Sequence, residues 1–121
     1  MVTQEKKLSI LIAESDPDLL NCLKLYLNEN YSVTSFQKRE DIVRHSPAAE
    51  FLLLDSRLVL YYGMNFLKEI KSASRGIHIV IMGDLQPNNI NDRKIFEKTV
   101  TRVIHKPFQP EEIDSVFGNH A

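Results

Sequence analysis

Short runs of consecutive apolar residues alternate along the chain with stretches whose apolar residues recur every three or four positions. The first run is LSILIA, 8–13. Asp16 and Pro17 then read as a helix start, with an N-cap followed by proline at the first helical position. Leu20, Leu23 and Leu27 follow at helical spacing. YSVTSF, 31–36, alternates like a strand with one wetter face, and a helix over about 39–45 stops before Pro47. FLLLD, 51–55, is a buried strand. LVLYYGMNF, 58–66, reads as an unusually apolar loop that packs against the rest of the chain. Met64, Leu67, Ile70 and Lys71 belong to a third helix, IHIVIM (77–82) is a strand, and about 90–99 is a fourth helix. TRVIH, 101–105, is the last strand. Pro110, Glu111 and Glu112 open a final helix carrying Ile113, Val116 and Phe117, with Gly118 as its stop.

Five strands alternating with five helices predict an α/β fold, a doubly wound parallel sheet covered by helices on both faces. Central strands of such sheets are near-continuous apolar runs, as LSILIA, FLLL and IVIM are. The 121 residues suit one domain spanning 1–121, and no linker or internal repeat interrupts them. An apolar fraction of 43% with 26% charged residues excludes a disordered chain. The net charge of -1 offers no overall case for nucleic acid or an anionic membrane surface. No apolar run approaches the roughly 20 residues of a membrane span, and no signal peptide is visible. The expectation is a soluble, cytoplasmic protein. Cys22, the only cysteine, sits among leucines and is expected to be buried.

Sites in doubly wound folds form beyond the carboxyl ends of the strands. Glu14, Ser15 and Asp16 follow the first strand, Asp55 ends the third, Gly83 and Asp84 follow the fourth, and Lys106-Pro107 follow the fifth. Side by side, these ends bring carboxylates and one ammonium to one sheet edge. Such a group suits a hard cation and supports attack by a carboxylate on a phosphoryl group. Asp55 then closes an apolar strand because a nucleophile needs fixed placement. His45, His78, His105 and His120 share no metal-type spacing.

ILIAESDPDLL (10–20), FLLLDSRL (51–58) with Gly63 eight residues after Asp55, and VIHKPF (103–108) together resemble the receiver domain of bacterial two-component response regulators. The resemblance covers essentially the whole chain. It implies a flavodoxin-like sheet in the order 2-1-3-4-5 and phosphorelay from a histidine kinase or phosphotransfer protein to Asp55. It implies a weakly held Mg²⁺, bound by Glu14, Asp55 and the backbone carbonyl of Arg57, with Asp16 helping through water. Lys106 would contact the phosphoryl group, and the Lys106–Pro107 bond would be cis. An output domain or partner protein would dock on the face of the fourth helix, fifth strand and fifth helix. A receiver is not counted as an enzyme.

Three positions depart from the family pattern. Ser15 replaces the second acid of the first loop, which lowers the expected Mg²⁺ affinity. Gly83 stands where a hydroxyl normally follows the phosphoryl group, with Asp84 beside it as an exposed acid. Val103 replaces the aromatic switch residue. Both the metal site and the switch are therefore expected to be impaired. The alternative is a phosphorylation-independent pseudo-receiver that binds other proteins. An aspartate phosphatase ranks below both, because its second acid would fall at Arg57. A flavin site would be repelled by ESDPD, and a dinucleotide fold lacks its G-x-G-x-x-G.

Overall fold

The computed structural model describes residues 7–118. Its strands are β1 (Ser9–Ala13), β2 (Ser32–Ser35), β3 (Phe51–Asp55), β4 (His78–Met82) and β5 (Val100–Ile104). All pair in parallel in the order β2-β1-β3-β4-β5, as the alternating pattern predicts. The helices are α1 (Pro17–Leu27), α2 (Arg39–His45), α3 (Ser56–Tyr62), α4 (Asn65–Ala73), α5 (Ile90–Thr99) and α6 (Pro110–Gly118). A short 3₁₀ turn, Ser46–Ala48, follows α2 and accommodates Pro47.

The unbroken apolar run of β3 has a direct cause. Successive side chains of a strand point to opposite faces, so a strand covered on both sides needs apolar residues at every position. Leu52 and Leu54 pack with Ile42, Val59, Phe66, Leu67 and Ile70, under α2, α3 and α4. Phe51 and Leu53 pack with Leu23, Leu27, Ile113, Val116 and Phe117, under α1 and α6. Phe117 lies edge-on to both Phe51 and Tyr31, with ring centroids 4.8 and 4.9 Å away. Each such leucine or phenylalanine contributes roughly 1.5–3 kcal/mol through burial.

Two expectations fail. The segment after β3 is not a loop: Asp55 ends the strand and also caps α3, accepting from the Arg57 N–H at 3.0 Å. With no intervening turn residue, nothing local announces a helix of only seven residues. It stops at Gly63, whose φ of 96° favours glycine. The apolar stretch divides, with Leu58 and Val59 buried and Leu60 and Tyr61 facing solvent. Tyr62 packs edge-on to Phe66 and donates to the Gln37 carbonyl at 2.9 Å. Cys22 is exposed rather than buried, because the core-facing stripe of α1 is narrow and consists of Leu19, Leu20, Leu23 and Leu27. Among the described residues no helix is long and apolar enough to cross a membrane.

Candidate functional site

Parallel pairing of β1 with β3 and of β3 with β4 sets the ends of three strands side by side. Glu14, one residue beyond β1, and Asp55, the last residue of β3, are both buried, at 1% and 0% exposure. Carboxylates at that depth need partners, and each has several. Lys106, in the loop after β5, reaches Glu14 Oε1 at 2.8 Å and Asp55 Oδ1 at 3.3 Å. The structure thus brings Glu14, Asp55 and Lys106 together at the carboxyl edge of the sheet. The Lys106–Pro107 peptide is cis.

Two further groups complete the set, and neither role was read from the sequence. Ser15 donates to Asp55 Oδ2 through its backbone N–H, at 3.3 Å, and through its hydroxyl. Arg57 lies in the first turn of α3, and its side chain turns back over the two carboxylates. Its Nε is 3.3 Å from Asp55 Oδ2 and its Nη2 is 3.5 Å from Glu14 Oε2. Glu14 Oε2 also accepts from the Asp16 N–H at 3.0 Å. All four carboxylate oxygens are therefore engaged. The sequence signal for Ser15 was only a lost charge. The signal for Arg57 was a cation two residues after Asp55, where a phosphatase would carry an acid.

The hydrogen bonds set the charge states. Burial pushes the Asp55 carboxyl up, but the Ser15 hydroxyl, the Arg57 N–H and the Lys106 charge outweigh it and hold it at about 2. The positive end of α3 acts in the same direction. For Glu14 burial is the larger influence and pushes the carboxyl above its ordinary value, against the Lys106 and Asp16 hydrogen bonds. The repulsive charge of Asp55 adds to the rise.

Arg57, whose backbone carbonyl was the expected ligand, lies in the first turn of α3, where carbonyls run along the helix axis. Asp16 spends its side chain on capping α1, accepting from the Asp18 N–H at 2.9 Å. Asp84 is exposed and pairs with His105 Nδ1 at 2.8 Å, away from Asp55. His45 stacks on Phe36, with ring centroids 4.0 Å apart; His120 lies outside the described residues. Val103 packs into the layer beneath α4 and α5. Gly83 has φ 114°, and a Cβ added there would collide with the hydroxyl of Ser56 and lie 3.3 Å from its Cβ. The buried Ser56 hydroxyl thus occupies the space a side chain at position 83 would need.

As arranged, these residues do not fit a divalent cation. Two carboxylates are already balanced by one ammonium and one guanidinium. Among the described residues no group of three or more His, Cys, Asp or Glu side chains could hold a metal ion. Beside the cluster, a space of about 370 Å³ is lined by Asp16, Leu19, Lys106, Pro107 and Phe108.

The fold is shared with many solved structures. A CheY-like response regulator receiver domain from Methanospirillum hungatei JF-1 is 17% identical with a TM-score of 0.78, covering 95% of this chain and 94% of that one. The receiver domain of the sensor histidine kinase PA1611 from Pseudomonas aeruginosa PAO1, with a magnesium ion coordinated in its active-site cleft, is 21% identical with a TM-score of 0.73, covering 93% and 96%. A CheY-like protein (tadZ) from the same organism is 15% identical with a TM-score of 0.72, covering 95% and 100%. No curated protein matches the chain. The response regulator receiver domain family matches residues 10–117, nearly the full span of the sheet and its helices, and the chain belongs to that family.

Proposed function

We propose that this receiver takes part in phosphorelay signalling, with Asp55 accepting a phosphoryl group from a phosphohistidine of a histidine kinase or phosphotransfer protein. The observation that carries this reading is Asp55 itself: an ionised carboxylate on the end of a rigid central strand, with the Lys106 ammonium 3.3 Å away. In the step, an Asp55 oxygen forms a bond to phosphorus as the phosphorus–nitrogen bond breaks. The electron pair leaves with the imidazole, whose other nitrogen carries the proton. Lys106 and Arg57 offset the charge on the phosphoryl oxygens, a largely electrostatic form of catalysis. Asp55 Oδ2 must release the Ser15 hydroxyl and Arg57 Nε before it can attack, so the transfer is slow. A Mg²⁺ ion would have to displace Arg57 from Glu14 and Asp55 and so would bind weakly, and the output surface is the face formed by α5, β5 and α6.

The engagement of every Asp55 oxygen favours a second reading, a phosphorylation-independent interaction module. Intact-mass measurement after incubation with acetyl phosphate, with and without Mg²⁺, separates the two. The phosphoacceptor reading expects a single phosphoryl adduct that Asp55→Asn abolishes. Absence of any adduct under both conditions leaves the interaction module as the function.

A further inference from the structure

We propose that the Arg57 guanidinium is a resident counterion that holds the cation position between Glu14 and Asp55, so that a divalent cation binds well only when Arg57 is removed. Four charged groups close a ring of alternating sign. Lys106 joins Glu14 Oε1 to Asp55 Oδ1, at 2.8 and 3.3 Å. Arg57 joins the other two oxygens, Asp55 Oδ2 and Glu14 Oε2, at 3.3 and 3.5 Å. Two negative charges meet two positive ones, so no surplus anionic charge is left to attract a metal. Hard cations select sites by the number and charge of free oxygen ligands, and here that number is small.

The position suits arginine. Its planar guanidinium presents separate N–H groups to the two carboxylates, Nε to Asp55 and Nη2 to Glu14. Root and tip are also placed differently. The Arg57 N–H is fixed to Asp55 as part of the helix cap, while 62% of its side chain is exposed. The guanidinium can therefore swing outward without disturbing the buried strand end. Ser15 reinforces the arrangement. Its neutral hydroxyl donates to the oxygen that Arg57 Nε also contacts, where an acid would recruit a metal. Restoring an acid at position 15 alone gives Arg57 another partner, so that change by itself opens the site little.

Magnesium titrations at constant ionic strength, followed by calorimetry and by backbone amide shifts around Asp55, test the inference. Arg57→Gln should bind Mg²⁺ about tenfold tighter than the unaltered chain, since one positive charge within contact range is gone. Ser15→Asp alone should change affinity little, and Ser15→Asp with Arg57→Gln should bind tightest. Equal affinity in the unaltered chain and a folded Arg57→Gln overturns the proposal. A second readout stays within the unaltered chain: the Arg57 side-chain N–H signal should move as Mg²⁺ saturates the site. Saturation without movement also overturns it. No phosphodonor is present, so failure of Asp55 to accept a phosphoryl group leaves these outcomes unaffected.

Discussion

Acid unfolding reads the state of Asp55 directly. Its carboxyl is held at about 2 against an ordinary value of 3.8. A group whose folded pKa is depressed stabilises the fold above its unfolded value and loses that contribution as pH falls through the folded value. The gap between 3.8 and about 2, at about 1.36 kcal/mol per unit, amounts to about 2 kcal/mol. Glu14 works in the opposite sense. Its folded pKa is raised, so its contribution is complete below the ordinary value and falls as pH rises through the raised one. Glu14→Gln removes that second titration. The comparison is therefore between Glu14→Gln and Glu14→Gln with Asp55→Asn, unfolded with urea between about pH 6 and about pH 2. The first should lose about 2 kcal/mol more than the second over that range, most of it below about pH 4. Parallel loss of stability in the two proteins would refute the claim that the Ser15, Arg57 and Lys106 contacts favour the ionised form.

Other expectations concern packing and switching. Leu53→Ala, at a fully buried position of β3, should cost about 2–5 kcal/mol in urea unfolding. Gly83→Thr should destabilise by about 2–3 kcal/mol through its positive φ and the Ser56 collision. Ser56→Gly should recover part of that loss by relieving the collision, and a Gly83→Thr chain as stable as the original contradicts the assignment. After treatment with acetyl phosphate and Mg²⁺, backbone amide shifts across 90–108 should stay small. Gly83 has no hydroxyl and Val103 no ring to favour one state over another, so a large Asp55-dependent shift there would contradict this reading.

The strand pattern was legible because burial on both faces leaves a plain mark: FLLL has no polar position to spare, and it ends abruptly at Asp55. The convergence of Glu14, Asp55 and Lys106 was legible for a related reason, since strand ends in a parallel sheet collect at one edge. Local geometry hid the rest. Asp55 is both the last residue of a strand and a helix cap, so α3 begins without a turn, and the resemblance placed a metal-binding carbonyl in what proved to be a helix. The Arg57 side chain carried no role in the sequence, because its reach back over Asp55 depends on that helix. Ser56 gave no signal, since its meaning lies in a contact with Gly83, 27 positions later. Cys22 was misplaced because apolar neighbours in sequence do not show how wide the buried stripe of a helix is.

Asp114 on α6 accepts one hydrogen bond from Tyr26, near the end of α1, at 2.6 Å, and another from Tyr31, just before β2, at 3.0 Å. A single carboxylate thus staples the first helix and the entry to an edge strand onto the last helix. The Tyr26 phenol is pushed up to about 12 by that hydrogen bond, so it remains a donor well into alkaline solution. α1 and α6 cover the same face of the sheet, and Asp114 supplies a side-chain link between them. The first helix and the last are thereby linked through a single carboxylate, apart from the buried carboxylate cluster.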